Sequence, residues 1–248
     1  MILKNKINKD RKNWREIFES FDSQWKLKNY DLKGLLYTAG HLKSKTGGYT
    51  VKKWLSEMKK IKDKIAVKNG KILEIGCGTG AVLKTFEKEM KIFGADYGKS
   101  LIKIASKALP GGHFQYSDAA NINYKQNYFD SIIIFSCAQF FPDKSYFNKV
   151  INKCFKFLKK DGNLFIGDLI EKSKQKEFDK YRKNQLGLKE YKLKYQGKEN
   201  SNLTHFSIDR DEISSLLKSK FKNIEIFNSI IRGDENEVFR FNVFCKKK

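Results

Sequence analysis

Apolar residues in the first part of the chain recur at helical spacing. Trp14, Ile17, Phe18 and Phe21 stand three or four residues apart, as do Val51, Trp54, Leu55, Met58 and Ile61, and each set predicts a helix with one apolar face. The segment between them, Tyr30 to Tyr49, holds Tyr37, His41, Ser44, Thr46 and the Gly47-Gly48 pair, a composition suited to a lid. From Lys71 onward the pattern changes to short apolar runs: Ile72 to Ile75, Lys91 to Ala95, His113 to Tyr116, Phe129 to Ser136 and Asn163 to Gly167. Runs of this length read as strands, and Ala81 to Glu89, Lys99 to Lys107 and Ser145 to Leu158 read as helices between them. Such alternation predicts an α/β protein built on a doubly wound sheet. Lys159 to Gly162 should close the third of these helices with basic residues and a glycine, and Asp168 should end the fifth strand.

Residues 169–206 are strongly charged and lack a strand pattern, so they read as an insertion between strands 5 and 6. Ile208 to Ser219 returns to a helix, with Asp209 or Asp211 as N-cap. Lys222 to Phe227 and Val238 to Cys245 then read as strands joined by the turn-rich Arg232-Gly233-Asp234.

Chemistry enters at Lys71 to Gly80, K-I-L-E-I-G-C-G-T-G, where a strand runs through glycines directly into a helix. Glycine permits the positive φ of a tight turn and lets a ligand approach bare backbone, while the first turn of a helix offers unpaired N–H groups. Gly76, Gly78 and Ala81 satisfy G-x-G-x-x-G/A, which keeps a dinucleotide such as NAD open. Asp96, 20 residues beyond Gly76, ends the second strand, where an acidic residue accepts the ribose hydroxyls of an adenosine cofactor of either kind. In open α/β sheets ligands lie at the carboxyl ends of strands, which makes Ser136, Cys137, Gln139, Phe140 and Asp168 pocket candidates.

The phrase E-I-G-C-G-T-G, with Glu74 before the glycines, resembles motif I of class I S-adenosylmethionine (SAM) dependent methyltransferases. The resemblance spans roughly residues 51–248 and implies a seven-stranded Rossmann-like sheet ending in an antiparallel hairpin. It implies an N-terminal helical cap over 1–65 and a SAM-binding domain over 66–248, with the 169–206 insertion recognising substrate. It assigns cofactor binding to Glu74, Gly76, Cys77, Gly78, Gly80, Asp96, Tyr97, Asp118, Ala119 and Ser136, with S-adenosylhomocysteine as product. The runs S-C-A-Q-F-F-P-D, F-I-G-D-L and T-H-F-S are similar to those of small-molecule methyltransferases of bacterial surface-polysaccharide and sugar modification, which makes O-methylation the expected reaction. An RNA methyltransferase and a non-catalytic SAM- or NAD-binding module are the alternatives.

Composition narrows the acceptor. The net charge of +23 points to an anionic partner, yet only six of the 51 basic residues are Arg, the residue that nucleic-acid readers favour. A small anionic or sugar-like acceptor is therefore expected, and nucleic acid is disfavoured. A sugar hydroxyl asks for a general base, for which His205 stands ahead of His41, with Gln139 and Tyr37 next. An acceptor oxygen already ionised needs no base, and cationic residues then matter more. Cys77, Cys137, Cys154 and Cys245 are too scattered for a zinc site or a disulfide framework, and no apolar run is long enough for a signal peptide or a membrane span. A cytoplasmic location and no metal are the expectations.

Overall fold

The computed structural model describes residue 14 and residues 29–42, 50–65, 67–188, 205–229 and 237–248. Ile17, Phe18, Phe21, Ser44, Thr46, Gly47, Gly48 and the Arg232-Gly233-Asp234 turn lie outside them. Among the described residues, the helices α1 (Leu32–Thr38) and α2 (Val51–Ile65) precede the sheet. The alternating part follows as β1 (Lys71–Ile75), α3 (Ala81–Lys84), β2 (Lys91–Asp96), α4 (Lys99–Ala108), β3 (His113–Tyr116), β4 (Phe129–Phe135), α5 (Lys144–Phe157) and β5 (Leu158–Ile170). Helices α6 (Gln175–Leu186) and α7 (Arg210–Lys218) then lead to β6 (Phe221–Asn228) and β7 (Arg240–Lys247).

The seven strands form one sheet in the order β3-β2-β1-β4-β5-β7-β6. Strands β1 to β5 pair in parallel, and β7 inserts antiparallel between β5 and β6, so the expected terminal hairpin is present. Both faces are covered. On β4, Ile132 and Ile134 face one apolar cluster with Phe147, Val150, Ile151, Ile213 and Leu217. Ile133 and Phe135 face the other, with Leu35, Leu36, Trp54, Met58 and Ile61. This is why β4 reads as a continuous apolar run instead of an alternating one.

The cap helices are tied to the sheet by polar contacts as well as burial. Asp31 caps α1 by accepting from the Gly34 N–H, and the buried Thr79 hydroxyl donates to the Leu35 carbonyl at 3.0 Å. Asn163 of β5 donates to the Ile65 carbonyl at 2.7 Å and so satisfies an otherwise open carbonyl at the end of α2. Helix α1 thus rests directly on the glycine loop, in a segment whose sequence predicts only a lid.

Several boundaries differ from expectation. Helix α3 is four residues long, not nine, because the chain turns over Thr85–Glu89 once Thr85 bonds back to Val82. Lys159 to Gly162 does not close α5, which ends against Leu158. These residues are instead the first part of a 13-residue β5, with Asp161 at φ 60° giving the local turn that the sequence signals. Asp168 accordingly lies inside β5, not at its end, at a register shift between Ile166 and Leu169. Asp209 occupies the N-cap position of α7, but its carboxylate accepts from the Ser173 N–H.

Candidate active site

The strand order reverses between β1 and β4, and the loops after these two strands bound an open cleft of about 520 Å³, mouth included. Its wall is built from Gly76 after β1, Asp96 and Tyr97 after β2, Asp118 and Ala119 after β3, and Cys137, Phe140 and Phe141 after β4.

The glycines of this loop have different duties. Gly76 has φ 76°, and a Cβ there would stand 2.1 Å from the Cys137 Sγ, so the close approach of the β1 and β4 loops requires it. Gly78, at φ 51°, has open space where its Cβ would be, and its N–H donates to Asp96 Oδ2 at 2.9 Å. Gly80, at φ 81°, begins α3. The second Asp96 oxygen accepts from the Gly98 N–H at 2.7 Å. Burial pushes the Asp96 carboxyl up from its ordinary range, and the Gly98, Gly78 and Tyr97 N–H groups pull it back. Each carboxylate oxygen has a second lone-pair site, so the group still accepts hydroxyl donors.

Asp118 Oδ1 accepts from the Tyr146 hydroxyl at 2.6 Å and from the Ala120 N–H at 3.0 Å. Tyr146 also lines the cleft, and its ring packs edge-on against Phe141 with centroids 5.0 Å apart. Asp143 caps α5 through the Tyr146 N–H, and this fixes where the first turn presents the phenol. Sequence reading places α5 but gives Tyr146 no part in the site. The signal available is a tyrosine three residues beyond a capping Asp.

Glu74 is buried beneath the glycine loop, 2% exposed, and its Oε2 has no hydrogen-bond partner among the described residues. Burial, then the negative charge of Asp96, raises its pKa well above that of an ordinary carboxyl. Burial likewise pushes up the Cys77 and Cys137 thiols, with the neighbouring Asp96 and Glu74 carboxyls adding to it, which disfavours the thiolate at both. Because the native state holds the Glu74 proton more tightly than the unfolded chain, its contribution to stability is complete at acid pH. It is lost as pH rises through the ordinary carboxyl range toward the raised native value. Glu74→Gln is therefore expected to raise the melting temperature, by a margin that widens between pH 5 and pH 8. Thermal scans across that range, with wild type gaining more than the variant on alkalinisation, would contradict this.

Beside the cleft, the ends of β4, β5 and β7 share a buried polar network. Ser136 (φ 49°) donates to Asp168 Oδ2 at 2.7 Å, and Asp168 itself has φ 65°. Arg240 Nη1 lies 3.1 Å from the same carboxylate and donates to the Asp168 carbonyl at 2.9 Å and to Gln139 Oε1 at 2.7 Å. Asn242 Oδ1 accepts from the Asp168 N–H. Of the residues expected to line the pocket after β4, Cys137 and Phe140 do so, whereas Ser136 and Gln139 turn into this network.

A third cluster stands behind Phe140. Trp14 packs on Phe140 and on His205, with centroids 4.7 and 5.0 Å apart, and His205 lies 5.8 Å from Phe140. Arg182, 7% exposed, donates from Nη1 to His205 Nδ1 at 3.3 Å and pairs with Asp179 through Nη2. His41 sits over Trp54 and Phe135, with centroids 5.2 and 6.3 Å away, and Tyr37 is exposed on α1. The four residues weighed for catalysis therefore occupy four different environments. No three or more His, Cys, Asp or Glu side chains converge on a metal position among the described residues, and no described helix is long and apolar enough to cross a membrane.

Residues 73–166 match the family model described as a methyltransferase domain. A curated relative, the demethylmenaquinone methyltransferase of Thermotoga maritima, is 30% identical over 103 residues, 40% of this chain, and the chain spans only 44% of that relative. A SAM-dependent methyltransferase structure from Thermotoga maritima, described as a possible histamine N-methyltransferase, superposes with a TM-score of 0.55 and 21% identity over 79% of this chain and 88% of that one. The magnesium protoporphyrin IX methyltransferase of Synechocystis PCC 6803, solved with bound S-adenosylhomocysteine, gives 0.61 and 10% over 96% of this chain and all (100%) of that one. At such identities the likeness to solved structures is one of fold.

The seven-stranded sheet has the fold of the SAM-dependent methyltransferase structures on which it superposes, and residues 73–166 are the segment that the methyltransferase-domain model matches.

Proposed function

We propose that the protein transfers a methyl group from SAM to an oxygen of a small anionic or sugar-like acceptor, of the kind modified in surface-polysaccharide biosynthesis. The observation that carries the reading is the cleft itself: a buried carboxylate, Asp96, held by the Gly78 and Gly98 N–H groups at the reversal of strand order, with Phe140 in its wall and Trp14 and His205 packed against Phe140. Asp96 would take the ribose hydroxyls. Asp118 and the Ala119 backbone would take the adenine edge, beside Phe141 and Tyr146. Gly76 and Gly78 leave backbone exposed to the methionine portion, and Glu74, Cys77, Gly80 and Ser136 shape the loop from beneath.

Bound SAM supplies an electrophilic methyl carbon on a cationic sulfur. The chain's own contribution is to hold an acceptor oxygen in line with that carbon and keep water away, which is where most of the acceleration in such a displacement arises. Flat aromatic faces with polar edges, as at Trp14, Phe140 and His205, suit a ring carrying hydroxyl or charged groups. His205 and His41 would touch the acceptor, Gln139 would act through Arg240, and Tyr37 would cover the mouth from α1.

The test is calorimetry with SAM, S-adenosylhomocysteine and NAD, followed by transfer of labelled methyl to panels of sugars, sugar acids, phosphates, amines and tRNA. Tight NAD binding without SAM binding would end the reading, and transfer to tRNA at physiological salt would replace the acceptor. Asp96→Ala removes a carboxylate that orders the loop and accepts from the ligand. It is expected to weaken SAM binding by about 1–3 kcal/mol, or roughly 5- to 150-fold.

A further inference from the structure

The cleft occupies the end of the sheet at which β1 to β4 finish, and the opposite end carries a different chemistry. Four segments meet there: residues 123–128 ahead of β4, 156–162 across the end of α5 and the start of β5, 218–223 across the end of α7 and the start of β6, and 246–248 at the finish of the antiparallel β7. Together they hold ten lysines, no arginine and one acid, Asp161. Hydrogen bonds join them into one face. The Asn127 N–H donates to the Lys156 carbonyl at 3.1 Å, and Lys247 Nζ donates to Asn127 Oδ1 and to the Leu158 carbonyl. The Lys248 N–H donates to the Lys220 carbonyl, also at 3.1 Å, and Lys222 pairs with Asp161. The Asp161 carboxyl is held below its ordinary range, first by Lys222 and then by Lys160 and Lys246. Lys159 pairs with Asp130, and the other eight lysines of the face form no ion pair among the described residues.

We propose that this end of the molecule docks on a bilayer surface carrying anionic lipid, with the cleft on the far side. Three observations favour a bilayer over a nucleic acid. All the cations of the face are lysines, compact and strongly hydrated point charges that suit the diffuse negative potential of a lipid surface and lack the planar fork that reads phosphate and guanine bidentately. They are spread over the ends of four strands and two helices, a broad surface and not a groove that tracks a sugar-phosphate backbone. The aromatic rings nearby are already engaged: Lys247 Nζ lies 4.7 Å from the Phe155 ring, and Tyr124 and Tyr128 pack edge-on against Phe129. Bases therefore find no platform on which to stack. The attraction is electrostatic and falls with ionic strength. Because the surface is remote from the cleft, its docking is independent of which acceptor the cleft takes.

The test is sedimentation with sucrose-loaded vesicles, of phosphatidylcholine alone and of phosphatidylcholine with roughly one-third phosphatidylglycerol, at physiological ionic strength. Wild type is expected to bind the anionic vesicles and not the neutral ones, and to be released as salt is raised. K125Q/K160Q/K218Q/K246Q removes four charges from the face, all at exposed or half-exposed side chains. K33Q/K52Q/K103Q/K176Q removes four from exposed positions on α1, α2, α4 and α6, so the two variants carry the same net charge. The first should lose roughly tenfold or more in partitioning onto anionic vesicles, and the second less than about threefold. Equal losses would assign the attraction to net charge and overturn the proposal, as would a wild type with no preference for anionic vesicles. K125R/K160R/K218R/K246R restores the charge and should bind as wild type does. Loss of binding in this variant also overturns the proposal. Binding to tRNA or duplex DNA tighter than to the anionic vesicles, and lost in the first variant, would replace the bilayer with nucleic acid. On anionic vesicles, acetylation of Lys125, Lys160 and Lys246 should slow relative to that of Lys33 and Lys103, and uniform protection would contradict the docked orientation.

Discussion

Replacing Arg240 by alanine is expected to lower the unfolding free energy by about 3–5 kcal/mol, the usual cost of leaving one member of a buried ion pair without its partner. The side chains of Arg240 and Asp168 are 4% and 0% exposed, so water cannot take the place of the lost charge. The loss also strips the donor from Gln139 Oε1 and from the Asp168 carbonyl. Removing both charges in R240M/D168L should recover a large part of the deficit, because desolvation offsets most of what such a pair contributes. Urea denaturation of the two singles and the double measures this. An R240A deficit below about 1 kcal/mol would show that the network is hydrated and not a buried pair.

Gly76→Ala should be nearly as damaging, and Gly78→Ala should not. The added methyl at Gly76 meets the Cys137 Sγ at 2.1 Å and its Cβ at 2.6 Å, on a residue with φ 76°. Overpacking costs about 1–3 kcal/mol and the left-handed backbone about 1–2 more, so a total of about 2–5 kcal/mol is expected. At Gly78 only the backbone contribution applies, since nothing lies within 4 Å of the new Cβ. The double variant G76A/C137G removes the obstructing side chain and should return the steric part while leaving the conformational part. If C137G fails to rescue G76A, the position is constrained by φ alone. Denaturation midpoints at constant m-value, with SAM affinity by calorimetry, separate these outcomes.

What the sequence displays of this molecule follows from how local each feature is. The β1 strand, its glycine loop and Asp96 occupy a short stretch whose residue types each have a backbone reason, and the structure places them as expected. The strand order and the final antiparallel insertion follow from the same pattern together with the resemblance. Helix α1 has no clear sequence signature because Leu32, Leu35 and Leu36 span little more than one turn, too little for a period to register against the Gly and Tyr around them. The start of β5 escaped for the opposite reason: Lys159-Lys160-Asp161-Gly162 has true turn chemistry, and Asp161 does turn, but inside a strand and not at the end of a helix. Arg240 and Asn242 lie on β7, Asp168 on β5, Ser136 just after β4 and Gln139 in the 3₁₀ turn Ala138–Phe140, and they meet only through the sheet. Their pairing has no one-dimensional signature. Tyr146 is similar, since only the tertiary approach of α5 to the loop after β3 brings its hydroxyl to Asp118.

The position of β7 has a consequence for how the chain comes to be folded. Strand β6 has one neighbour, β7, and that neighbour is made after it; β7 in turn pairs Asn163 with Lys246 and Phe221 with Lys247, bridging about eighty and twenty-five residues of sequence. On the ribosome, β1 to β5 can assemble in order as they emerge, but β5 keeps an open edge and β6 stays unpaired until Arg240–Lys247 threads between them. The sheet is completed by insertion, not by growth at its margin. Because Arg240 travels on that strand, the partner of Asp168 is delivered by the same event, so the polar ends of β4 and β5 would be organised only when the sheet closes.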